Sequence, residues 1–218
     1  MAKTITVTGI GHASVKPDQV ELLFSLEVVG KNYDKVMAQT AERYSKIAAS
    51  LERAGFRNDL LKTIYFNVQT LGESIPEDQR DYLCAFKGYK CIHKMRMVFA
   101  FHTSILSDAL KAIINSKANP DIQILFTMKD PDAVNTQILT DAANNARKKA
   151  EILCLSSGAA LGELMAIHDN RSAARLESKT TYNYDQNSIA AGSAAHYVEI
   201  NPEDIAATYS AIFVWEIL

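Results

Sequence analysis

Cys91, His93, Met95 and Met97 stand two apart along a stretch of strand-like alternation, so all four side chains share one face. A thiolate, an imidazole and two thioethers form a donor set suited to Cu(I) or Zn. A structural zinc site needs four donors, and the nearest other candidates, Cys84 and His102, fall on the opposite face by parity. The competing reading is an apolar core that these residues line with Phe99 and Phe101, since buried Cys and Met are common. Cys84 and Cys91 lie seven positions apart on extended chain. That separation is far beyond disulfide reach.

Other reactive types are scattered. His12, His168 and His196 are dispersed, and no Ser or Cys stands in a recognisable nucleophile motif. Asp130, Asp132 and Asp141 read as helix-cap and outer-face charges rather than paired catalytic carboxylates. The G-x-G at Gly9–Gly11 has no helix after it, and a phosphate cradle needs the helix N-terminus as well as the glycines. Tyr182, Tyr184 and Tyr197 sit in an aperiodic stretch and could contact a partner or ligand, or simply anchor that stretch to its own domain.

The elements that would position these residues are legible from periodicity. Ile5 and Val7 alternate with threonines in a short strand that ends before Gly9. Val20, Leu22, Phe24, Leu26 and Val28 form one face of a second strand, half exposed on the other. Asn32 caps a helix over 33–54 that Gly55 stops, with Tyr33, Met37, Thr40, Tyr44, Ile47, Leu51 and Ala54 as its stripe. A strand over 61–71 places Ile64, Phe66 and Val68 on one face. An extended run over 81–102 follows, interrupted by Gly88 as a bulge or bend. A helix over 104–117 turns its Ile, Leu and Ala residues to the core. Ile122, Ile124, Phe126 and Met128 then alternate in a strand.

The longest helix spans 131–157, with Asp130 as cap, Pro131 in its first turn and Gly158 as stop. Val134, Ile138, Ala142, Ala146, Ala150 and Leu153 form its inner face, and the alanines allow close approach to a sheet. Asn144, Asn145, Arg147, Lys148 and Glu151 form its outer face. A short strand over 164–167 comes next, then a long variable loop over 169–207. The last strand, 208–218, is apolar on both faces and suits a central position. The fold class is α+β, with mainly antiparallel sheet of about seven strands covered by three helices. The organisation is one domain over 1–218, or two lobes sharing the long strand 81–102.

Composition bounds the function. The chain has 218 residues, 48% hydrophobic and 22% charged, enough for a substantial core. A formal net charge of -2 gives nucleic-acid binding no support. No apolar run reaches membrane-spanning length. Three cysteines do not make a disulfide framework. The N-terminal residues lack an apolar signal segment, so the expected location is cytoplasmic as written, or periplasmic if a signal peptide was trimmed.

The sequence I-T-V-T-G-I-G-H-A-S-V-K-P-D at Ile5–Asp18 resembles the opening of the SIMPL-domain family. A-R-K-K-A-E-I-L-C-L-S-S-G-A-A-L-G-E-L at Ala146–Leu164 is similar to that family's A-R-x-K-A-E-x-L-A-x-x-x-G-x-x-L-G signature, and Y-S-A-I-F-V-W-E-I-L to its closing strand. The resemblance implies an α+β fold, a tendency to form large homo-oligomers and no established enzyme activity. Many members are exported bacterial envelope proteins, and some are linked to oxidative stress. The resemblance supplies no catalytic motif, so no catalytic or cofactor-binding residue and no cofactor is assigned.

Two functions follow as expectations. One is a non-enzymatic, oligomer-forming protein, a scaffold or stress-related assembly whose partner is itself. The other is a small-ligand or metal-binding protein using the Cys91/His93 face or the 169–207 loop. Pairing outward from a turn at 72–80 puts Leu71 near Asp81 and Leu61 near Cys91, so the far end of the 81–102 run needs another neighbour. Tyr82, Leu83 and Phe86 populate its outer half and are the candidate oligomer contacts.

Overall fold

A computed structural model describes residues 3–73, 85–169, 176–184 and 200–218. In chain order the strands are β1 (Thr4–Val15), β2 (Gln19–Gly30), β3 (Leu61–Glu73), β4 (Ala85–Ala100), β5 (Asp121–Thr127), β6 (Leu161–His168), β7 (Tyr182–Tyr184) and β8 (Ile205–Ile217). The helices are α1 (Tyr33–Arg53), α2 (Thr103–Asn115) and α3 (Pro131–Ser156). The fold is α+β, with seven long strands, the three-residue β7 and two sheets. The chain divides into two compact units, one of 1–17, 127–179 and 202–218, the other of 18–126 and 180–201.

In the first unit the sheet order is β1-β8-β6, antiparallel throughout, with β8 in the centre as its doubly apolar faces require. The helix α3 begins as the sequence predicts, since the Asp130 carboxylate accepts from Ala133 N at 3.1 Å. Val134, Ile138, Ala142, Ala146 and Ala150 are buried, but Leu153 is half exposed and Cys154 takes its place. The buried row advances by four at every step from Val134 to Ala150. Cys154 therefore continues the row and Leu153 does not.

β1 does not end before Gly9; it runs through both glycines to Val15. A Cβ on Gly9 would overlap the carbonyl oxygen of Ala142 and lie 2.7 Å from the Ala146 Cβ. A Cβ on Gly11 would overlap the Ile138 carbonyl oxygen and lie 2.9 Å from Ala142 N. The glycines thus replace side chains where helix backbone rests on strand backbone. Asn145, expected on the outer face, instead accepts from Ile10 N at 3.1 Å, and Lys149 Nζ donates to the Thr8 carbonyl at 3.1 Å. These two side chains occupy backbone groups of an edge strand that would otherwise be open to pairing.

In the second unit the order is β3-β4-β2-β5-β7. α1 and α2 supply Ile47, Leu51, Leu106, Ala109, Ala112 and Ile113 to a core with Val20, Leu22, Phe24, Leu26, Met95, Met97 and Phe126. Full burial of each such large side chain is worth about 1.5–3 kcal/mol. Asn32 caps α1 through Lys35 N at 3.0 Å, and Gly55 leaves it at φ 90°. The first turn of α1 buries Val36 rather than Met37, because Val36 packs against Val28 and Cys91.

The β3–β4 register differs from the sequence expectation. Leu71 pairs with Gly88 and Leu61 with Met97, so the hairpin pairing begins at Glu73–Ala85 and the run past Ile92 already has β3 and β2 as neighbours. The register is set where the apolar faces match, Val68 against Cys91 and Leu61 against Met97. A register shift near Gly88, at φ 147°, leaves Lys87 extra, as the glycine predicts. A second shift leaves Ile64 extra, removing it from the face it was expected to share with Phe66 and Val68. β4 lies within the second unit over its whole length.

Part of the 169–207 stretch is ordered structure rather than loop. Thr127 bridges Glu177, the buried Ser178 hydroxyl donates to the Glu203 carbonyl at 2.7 Å, and β7 pairs with β5. The remainder, 170–175 and 185–199, lies outside the described residues.

Candidate functional site

Among the described residues, the Cys91–Met97 ladder is the sequence-nominated constellation that the fold keeps together, on the helix-covered face of β4. Its neighbours on β2 are Val28, Leu26, Phe24 and Leu22, and on β3 Val68, Phe66, Thr63 and Leu61. Cys91, Met95 and Met97 are fully buried, and His93 is 7% exposed. Cys91 packs with Val28 and Val36, while Met95 and Met97 belong to the main core.

His93 is the one polar group in this ladder, and its environment is specific. Its Nε2 shares a hydrogen bond of 2.8 Å with Thr63 Oγ1. The Tyr44 ring stacks on it at 5.3 Å and 28°, and the Phe66 ring meets it edge-on at 5.2 Å and 77°. Burial lowers the imidazole pKa below its usual value, because the charged form loses its water. A neutral ring that is bonded to a hydroxyl and enclosed by aromatics is a satisfied core histidine.

The Tyr44 contact was within reach of the sequence, since Tyr44 lies on the expected stripe of α1. The Thr63 bond was not, because the Ile64 bulge resets the parity of β3. Among the described residues no group of three His, Cys, Asp or Glu is placed to hold a metal ion. His102 is exposed at the start of α2, and Cys84 lies outside the described residues.

Among the described residues the dispersed candidates stay dispersed. His12 Nδ1 lies 3.2 Å from Thr208 Oγ1 across the β1–β8 pair, and His168 is exposed at the end of β6. Asp130 is the α3 cap, Asp132 lies in its first turn and Asp141 is exposed on its outside. Tyr182 packs against the core of the second unit, so it anchors its own domain. His196, Tyr197 and the Tyr184 side chain lie outside the described residues. Of the oligomer candidates, Phe86 is 57% exposed and meets Tyr89 edge-on at 5.1 Å. Tyr82 and Leu83 lie outside the described residues.

Sequence reasoning missed Arg43, whose guanidinium makes three hydrogen bonds to backbone carbonyls. Its Nε donates to the Ala118 carbonyl at 2.7 Å, Nη1 to Glu27 at 2.7 Å and Nη2 to Asn119 at 2.6 Å. Lys117 and Asn119 adopt positive φ in that turn, at 53° and 48°. The planar guanidinium therefore clamps a tight α2–β5 turn to β2, and burial lowers its pKa, opposed by the Asp121 charge. An isolated arginine on a helix surface carries no pattern that announces such a role.

A family model for SIMPL, described as a protein of unknown function (DUF541), matches residues 5–215. The chain belongs to the SIMPL family. No curated protein matches it. Among solved structures, an uncharacterized conserved protein from Listeria innocua is 12% identical over 96% of this SIMPL chain and 92% of its own, with a TM-score of 0.19. A hydrolase from Listeria innocua is 12% identical over 95% and 92%, with a TM-score of 0.18. Superposition that weak carries no argument about activity. Among the described residues, no helix of this SIMPL protein is long and apolar enough to cross a membrane.

Proposed function

We propose that this SIMPL protein is a non-enzymatic, homo-oligomer-forming protein, serving as a scaffold or a stress-related assembly. The carrying observation is where its side chains are placed. Cys91 and His93, the residues best equipped for chemistry, are enclosed in the core. Large apolar residues stand exposed on the outer hairpin instead: Ile64, Tyr65 and Phe66 on the edge strand β3, and Phe86 on β4. An apolar sheet edge left in water favours association with another chain. The family's tendency to form large assemblies points the same way. A metal- or ligand-binding role at Cys91 and His93 finds no third His, Cys, Asp or Glu placed with them among the described residues and is not adopted.

Sedimentation velocity on the native protein and on Phe86→Asp tests the reading. The native chain is expected to sediment as an oligomer, and the variant as a smaller species. A native protein that sediments as a single chain across its concentration range overturns it.

A further inference from the structure

The three-stranded sheet treats its two edges differently. The β1 edge is covered by α3, through Asn145 on Ile10 N and Lys149 on the Thr8 carbonyl. At the other edge, among the described residues, β6 pairs with β8 alone, and Leu164, Met165 and Ile167 are 48%, 57% and 54% exposed. Leu155, in the last turn of α3 just before this strand, is exposed as well. Edge strands of soluble proteins are usually blunted with lysine, proline, inward charge or bulges. The sequence of β6, L-G-E-L-M-A-I-H, contains no lysine, no proline and a single carboxylate.

From this contrast we propose that the β6 edge is a two-fold interface at which a second copy of this chain adds its own β6 antiparallel, joining two three-stranded sheets into one. This rests on the homo-oligomer reading above and names the surface in the first unit that assembly would use. The occupant is argued from self-complementarity. With Met165 set opposite Ala166 of the second copy, Leu164 falls opposite Ile167 and Glu163 opposite His168, and two-fold symmetry repeats each pair. Apolar side chains then meet apolar ones, and each carboxylate meets an imidazole. No like charges are opposed anywhere in this register.

β6 also carries register irregularities between Leu161 and Leu164 and between Leu164 and Ala166. Such bulges themselves blunt an edge against pairing, so a partner strand has to match the irregularities of β6 as well as its side chains. The face that would be shared is well anchored. Leu164 pairs with Trp215 and Ile167 with Phe213, both buried under α3.

The test uses the full chain and two independent readouts. Light scattering compares native protein with Met165→Lys and with Leu164→Lys, each checked for a native circular dichroism spectrum. Separately, Leu164→Cys and Ile167→Cys are combined in one chain and oxidised, with native protein as the blank for its own cysteines. Opposed antiparallel positions have Cα atoms about 4.5–5.5 Å apart, within disulfide reach. The expected result is an at least two-fold lower mass for the lysine variants and a covalent dimer for the cysteine pair only. A native oligomer of unchanged mass in both folded lysine variants, with no covalent dimer, overturns the β6 interface while leaving the homo-oligomer reading intact. A single-chain mass for the native protein defeats both. If the lysine variants fail to fold, the cross-link alone decides.

Discussion

Desolvation holds the His93 imidazole neutral between Tyr44, Phe66 and Thr63, and the consequence is a pH dependence of stability. Its native pKa lies below the reference value of 6.5, so in acid the unfolded chain takes up this proton before the native one does. The contribution is complete above that value and declines as pH falls from it towards the depressed native pKa. Between about pH 7.5 and about pH 5.5 the melting temperature should fall in the native protein, and fall less in His93→Leu. Identical pH profiles for the two would remove His93 as the cause.

Gly9 is a second residue-scale case. Its missing side chain is replaced by the Ala142 carbonyl, so Gly9→Ala should cost about 1–3 kcal/mol as a lower urea midpoint with unchanged slope. A midpoint at the native value would mean that α3 moves off β1 at no cost. Arg43 offers a third. Replacing its three carbonyl bonds with a methionine should cost about 1–3 kcal/mol, and Arg43→Lys should not restore it, because an ammonium cannot reproduce the fork. A lysine variant as stable as the native protein would show that charge alone suffices.

At the scale of elements, the helices were legible because their signals are local. Asn32, Asp130, Pro131, Gly55 and Gly158 fixed where α1 and α3 begin and end, each through a backbone requirement of its own position. What was not legible depends on residues distant in sequence. Gly9 and Gly11 read as a stop until α3 lies against them. The β3–β4 register could not be counted from the turn, because bulges at Ile64 and Lys87 change parity twice. The candidate site was visible as a face of β4, but its meaning as core required the rings of α1 and β3 around it.

The seam between α3 and the β1–β8 sheet gives a sharper test. Ala146→Leu should overpack it by about 1–3 kcal/mol. Asn145→Ala, which frees Ile10 N at an exposed edge that water can reach, should cost about 1 kcal/mol or less. Equal urea midpoint shifts for the two would show that the tight face of α3 has been misassigned.

For the whole molecule, a modest net charge of -2 opposes self-association only weakly, and apolar side chains stand exposed in each of the two units. Membership of the SIMPL family gives a fold and leaves activity open. Assembly is therefore the property on which the functional account depends. Light scattering on the native protein over a wide concentration range measures it most directly. A mass that is a fixed multiple of one chain, and that holds on dilution, is the predicted result. The mass of one chain at every concentration would contradict the account.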